Sequence, residues 1–287
     1  MINKPRPRRA VDLHLLPSAM TVLSICSGLT SIKFALEHQP IPAMALIAVA
    51  AILDALDGRV ARVLDVQSRM GAEIDSLADS VNFGVAPALV VYVTLFPDWP
   101  AGWAVVLLYA VCVVLRLARY NAQQDDGTLP PYAKEYFVGM PAPAGAVSLI
   151  GTIGLKLQFG DGWWTSHAFL SFWIAGTSLL MVSALPMKKF HTLAVPPNWA
   201  APLLAALAIA AAAAVLYPYL LIWSLIIAYV CHIPFAARSK RWLAEHPEAW
   251  DDKPKERRAL RRETRRAAHP NRRSMARLGL RKPGKKQ

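Results

Sequence analysis

The sequence predicts an all-α fold, a polytopic membrane helix bundle of eight spans, and three observations predict it. Of the 287 residues 55% are hydrophobic, and the mean hydropathy is +0.31, too apolar for an ordinary soluble domain. Apolar runs of about 20 residues recur, the length a helix needs to cross a hydrocarbon core about 30 Å thick. The net charge of +13 is concentrated at the chain ends, and Lys and Arg recur in alternate connections.

The elements follow in order. Residues 1–14 form a basic arm with Lys4, Arg6, Arg8 and Arg9. The apolar run after it, 15–37, has no small-residue cleavage site and reads as the first membrane helix rather than a removable signal. Thr21, Ser24, Ser27 and Gly28 stand three or four apart there, small residues that let helices approach closely. Lys33 near its outer end is placed to snorkel. Span two, 41–58, ends on Asp54, Asp57 and Gly58. A short connection, 64–70, contains Asp65 and leads to span three, 74–96. Spans four to eight are 102–121, 141–158, 167–187, 199–217 and 219–237. Pro141 and Pro143 start or kink the fifth. The polar loop 122–140, with Asp125, Asp126, Lys134 and Glu135, is a gate or a plain connector. Trp99, Trp103, Trp163 and Trp164 fall near outer ends, as an aromatic belt does. Cys26, Cys112 and Cys231 lie far apart without metal-ligand spacing and read as small buried hydrophobes.

Topology follows from charge. Both ends are basic, so both are expected in the cytoplasm, which requires an even number of spans. Connections near 38–40, 97–101 and 159–166 lack Lys and Arg and face outward. Those near 59–70, 122–140 and 188–198 carry Arg59, Arg62, Arg69, Lys134, Lys188 and Lys189 and face the cytoplasm. The tail, 238–287, is expected to be largely disordered, its basic runs drawn to anionic lipid at about 1 kcal/mol per residue near the surface. No aromatic interleaving follows Trp250, which argues against nucleic acid as a partner.

The chemistry concentrates between Asp54 and Asp79. Asp54 and Asp57 are three apart on one helical face, and Gly58, Ala61 and Arg62 continue it. Gly71, Asp75, Asp79 and Asn82 recur at four, four and three on the next helix, whereas Glu73 falls on another face and reads as solvated. A carboxylate at the bilayer centre costs roughly 2.5–3.5 kcal/mol. Two like charges 4 Å apart repel by about 4 kcal/mol at an effective dielectric near 20. Too few basic residues lie in the neighbouring spans to neutralise four carboxylates. Divalent Mg²⁺ or Mn²⁺, two ions bound through oxygen, would do so, and a substrate diphosphate is their natural further ligand. Gly58 and Ala61 remove bulk where a ligand lies against backbone, and Arg62 supplies a charge-assisted donor.

The pattern D-x2-D-G-x2-A-R-x8-G-x3-D-x3-D, met here at every defined position, resembles the signature of the CDP-alcohol phosphatidyltransferase family. The resemblance implies a six-helix catalytic core, 15–190, followed by two additional helices, 191–237. It implies that Asp54, Asp57, Asp75 and Asp79 hold the metal ions and that Asp79 is also the base. Gly58, Ala61, Arg62 and Gly71, with Asp75, would shape the CDP pocket. The stretches DSLADSVNFGVAPALV, RLARYN and FVGMPAPAGA resemble the membrane-bound phosphatidylserine synthases of that family, although Ser24 stands where many relatives carry asparagine. On that likeness CDP-diacylglycerol and L-serine are the substrates, CMP is released, and Asn82, Arg116 and Arg119 are the residues placed to meet the alcohol. A homodimer in the cell membrane is the family expectation. Glycerol 3-phosphate, an inositol compound or choline is the rival acceptor, and a cation transporter using intramembrane carboxylates is the rival class.

Overall fold

The computed structural model describes residues 9–64, 69–124, 136–188 and 200–246. Nine α-helices make up the described part: α1 Arg9–Leu36, α2 Pro40–Val63, α3 Arg69–Asp79, α4 Ala86–Leu95, α5 Gly102–Gln124, α6 Ala142–Phe159, α7 His167–Val182, α8 Ala200–Leu216 and α9 Pro218–Glu245. A π-helical turn, Ser80–Val85, joins α3 to α4, so Met70–Leu95 runs as one span. Every expected span has its helix. Five are long and apolar enough to cross a membrane: Pro17–Leu36, Pro40–Val63, Met70–Leu95, Gly102–Gln123 and Pro218–Glu245. The other three are shorter or more polar; α7 has 16 residues and α8 has 17, roughly 24–26 Å of helix.

Packing follows side-chain size. α1 and α2 lie against each other, with the Ser27 hydroxyl donating to the Leu46 carbonyl at 2.9 Å. The Met70–Leu95 span is the most enclosed of the five. Its Phe83, Val90 and Val91 join Tyr109, Val113, Leu149, Ile153, Ile174 and Met181 in one core. Gly84 lets α5 approach, since a Cβ there would sit 3.3 Å from Val113. In the π-helical turn the buried Tyr109 hydroxyl donates to the Phe83 carbonyl at 2.8 Å. Outward faces carry Val22, Leu29, Ile52, Leu107, Phe172 and Leu207, a surface suited to acyl chains. α9 docks on α6 at Gly151 and Gly154, and the Trp223 indole donates to the Gly151 carbonyl at 2.7 Å. Between α4 and α5, Trp99 stacks on His167 at 4.9 Å.

Several boundaries differ from the sequence reading. α1 starts at Arg9, inside the expected arm, and α2 continues to Val63. α9 runs to Glu245, so the segment from Arg238 is helix rather than tail; the remaining tail lies outside the described residues. Cys26 and Cys231 face outward, and only Cys112 is buried. Two three-residue strands were not anticipated. β1 (Tyr136–Val138) pairs antiparallel with β2 (Pro186–Lys188), Phe137 opposite Met187. The 125–135 part of the expected gate is outside the described residues.

The ribbon ties the start of α6 to the end of α7, and the Tyr136 hydroxyl donates to Ser239 on α9 at 3.0 Å. Gly139 follows β1 with φ +77, and a Cβ there would collide with the Met181 carbonyl and stand 2.9 Å from that of Ser183. Gly139→Ala is therefore expected to lower stability by about 2 kcal/mol or more. Gly176→Ala, on an open helical face, is expected to be neutral or mildly stabilising. Thermal unfolding of the two variants in detergent checks the contrast.

Candidate functional site

The site forms where α2 ends and α3 begins. Asp54 and Asp57 share the inner face of the last turns of α2, and the helix's continuation to Val63 keeps Gly58, Ala61 and Arg62 in register with them. α3 brings Asp75 and Asp79 to that face. One oxygen from each of Asp54, Asp57 and Asp75 lies within 4.8 Å of the others. Asp79 joins from the next turn, its carboxyl close enough to that of Asp54 for the two charges to interact. Oδ1 of Asp54, of Asp57 and of Asp79 is buried without a hydrogen-bond partner among the described residues. Ion pairs among those residues join Lys33 to Glu37 and Lys156 to Asp161, and none reaches the cluster.

Convergent carboxylate oxygens left without donors are a donor set for hard cations. The residues present fit a divalent ion: they are acceptor-only groups, close together, partly withdrawn from water and otherwise mutually repulsive. Among the described residues no thiol or imidazole joins the group, and an all-oxygen donor set suits Mg²⁺ or Mn²⁺ better than softer metals.

Neighbouring helices hold the cluster. The Thr21 hydroxyl on α1 donates to Asp57 Oδ2 at 2.7 Å. Asn121 on α5 donates to Ser76 at 2.9 Å, fixing α3 between its two carboxylates. Arg116 is buried on α5, close enough to Asp79 for their charges to interact, with its Nε unpartnered and its guanidinium 5.9 Å from the Tyr120 ring. Arg119 turns elsewhere and donates to the Ser183 carbonyl at 3.3 Å, closing the end of α7. Asn82 is fully buried in the π-helical turn; its amide donates to Ser24 at 2.7 Å and its oxygen presses on Gly28. Of the three residues expected near the alcohol, Arg116 therefore faces the cluster, whereas Asn82 and Arg119 are engaged in holding helices together. Gly58 faces open space, Arg62 Nε donates to the Gly58 carbonyl at 2.9 Å, and Ala61 and Gly71 are half-buried nearby in sequence. Glu73 is exposed, as its register required. Thr21, Ser76 and Asn121 were missed as contributors. Thr21 had a visible signal, a hydroxyl within a polar stripe on an apolar helix, but the stripe was read as a packing feature only.

A profile of the CDP-alcohol phosphatidyltransferase family matches residues 14–175, more than half of the chain. The chain belongs to that family. The matched segment starts in α1 and ends in α7, enclosing all four carboxylates. Curated relatives named CDP-diacylglycerol–serine O-phosphatidyltransferase extend the likeness. The Mycobacterium tuberculosis protein is 76% identical over 286 residues, covering all of both chains. The Mycobacterium leprae protein is 67% identical over 99% of this chain and 94% of its own. The Bacillus subtilis protein is 33% identical and is matched over 92% of its length by 62% of this chain, so over a third of the present chain lies outside what those two share.

Removing one of four crowded like charges relieves repulsion that a bound cation would otherwise offset. In EDTA, Asp54→Asn is expected to melt a few degrees above the unsubstituted protein, roughly 2–4 °C per kcal/mol relieved. Added Mn²⁺ is expected to raise the unsubstituted protein's midpoint and to raise the variant's less. A thermal-shift series in detergent reads both.

Proposed function

We propose that the chain transfers the phosphatidyl group of CDP-diacylglycerol to the hydroxyl of L-serine, releasing CMP and forming phosphatidylserine. The observation that carries the serine assignment is the full-length 76% identity to the Mycobacterium tuberculosis serine O-phosphatidyltransferase. Convergence of the aspartates supports the chemistry.

In this reading Asp54, Asp57, Asp75 and Asp79 hold two divalent ions, Mg²⁺ or Mn²⁺. When bound, such ions neutralise the diphosphate and stabilise departing CMP. Gly58 leaves an open face for CDP, edged by Ala61, Arg62 and Gly71, while Asp75 lines it. With its Nε on a backbone carbonyl, Arg62 keeps its terminal nitrogens for phosphate. Asp79 holds the serine hydroxyl by accepting its proton. The serine oxygen bonds to the phosphatidyl phosphorus as that phosphorus parts from the CMP oxygen, which leaves with the electron pair. Arg116, buried beside Asp79, receives the serine carboxylate. α1 to α7 and the ribbon make up the catalytic core, and α8 and α9 are an addition to it.

The site and both chain ends face the cytoplasm, supported by the basic residues at this end: Arg59 and Arg62 after the cluster, and Arg238, Lys240 and Arg241 on the last turns of α9. The same α9 turns, with the basic tail beyond, are placed to meet anionic lipid headgroups.

The purified protein with CDP-diacylglycerol and Mn²⁺ is expected to release CMP in step with labelled phosphatidylserine when serine is supplied. Release with glycerol 3-phosphate or inositol but not serine would overturn the acceptor. Asp79→Asn is expected to slow CMP release about 10²–10⁴-fold. Arg116→Gln is expected to raise the KM for serine more than it lowers kcat, and steady-state kinetics separate the two.

A further inference from the structure

The hydroxyl of Thr21 has two acceptors in reach, Asp57 Oδ2 at 2.7 Å and the Pro17 carbonyl at 3.0 Å, and one proton to give. Asp57 is the stronger claimant. Its oxygen is nearer and carboxylate in character, and a hydroxyl-to-carboxylate bond is shorter and stronger than a neutral one. The Pro17 carbonyl sits four residues back on the same helix, where the Thr21 backbone N–H already serves it. Both partners of the Thr21–Asp57 bond are buried. With Oδ2 taken, Oδ1 of Asp57 is the atom left without a partner.

We infer that Thr21 is a positioning residue for cation binding: by holding Oδ2 it fixes the Asp57 carboxylate so that Oδ1 is the ligating oxygen. One turn along α1, Ser24 accepts from Asn82, so a single polar stripe touches both carboxylate-bearing segments. The cluster's carboxylates come from α2 and α3, and through Thr21 α1 sets the geometry of one of them. Partners that orient a ligating carboxylate commonly govern metal affinity by about 10–100-fold.

This rests on the metal reading under the proposed function, and the experiment separates the two. Full-length protein in detergent is titrated with Mn²⁺, free ion being read by electron paramagnetic resonance. Thr21→Val, which keeps the shape and loses the donor, is expected to weaken Mn²⁺ binding about 10-fold or more. Thr21→Ser is expected to stay within about 3-fold of the unsubstituted protein, because the hydroxyl is what matters. Activity of the valine variant is expected to recover as Mn²⁺ is raised, with kcat largely regained. Unchanged Mn²⁺ affinity in Thr21→Val overturns the inference, as does equal loss in the serine variant, which would assign the effect to packing. If the unsubstituted protein binds no Mn²⁺, the metal reading itself fails. Should the valine variant not remain monodisperse, Thr21→Ala against Thr21→Ser carries the same comparison.

Discussion

Four carboxylates meet inside an apolar bundle with no ion pair among the described residues reaching them, and the rest of the architecture answers that constraint. In hydrocarbon each such group is costly alone, and grouped they repel. Such a cluster persists where protons or a bound cation offset the repulsion and where the helices bearing it are held firmly enough to resist being pushed apart. The chain meets the second need with hydrogen bonds and close packing. Unpartnered oxygens on Asp54, Asp57 and Asp79 leave room for the first.

The restraint comes from three sides. α1 touches α2 through Thr21 and the π-helical turn through Ser24. α5 reaches α3 through Asn121 and presents Arg116 to Asp79. The ribbon, with Gly139 in a left-handed conformation, fastens α6 to the end of α7, where Arg119 donates to Ser183. Polar contacts also join helices away from the cluster, Ser27 to Leu46 and Trp223 to Gly151 among them. Elsewhere small residues set the spacing: Gly28 against Asn82, Gly84 against Val113, and Gly151 and Gly154 against α9.

Much of this was legible in the sequence, for physical reasons. Membrane spans announce themselves by length and apolarity, so the helical bundle and its order were readable. Spacings of three and four fixed which side of each helix Asp54, Asp57, Asp75 and Asp79 shared, and the short 64–70 connection kept the two carboxylate pairs near each other along the chain. Helix ends were harder. Beyond a span the chain turns polar, yet α2 and α9 continue, because Arg62 and Arg241 sit well in helix and hydropathy cannot mark where winding stops. Strands of three residues show no alternation, so the ribbon was invisible. The destinations of Asn82 and Arg119 depended on which helix lay opposite, a tertiary fact that no single face reveals. For Thr21 the residue was noticed and its partner was not.

The central claim is that carboxylates from adjoining helices share cations. Crystals of the protein grown with Mn²⁺ and measured on either side of the manganese absorption edge test it directly. The account predicts anomalous peaks within coordination distance of Asp54, Asp57, Asp75 and Asp79. Ordered carboxylates with no peak between them, or peaks confined to other parts of the molecule, would contradict it.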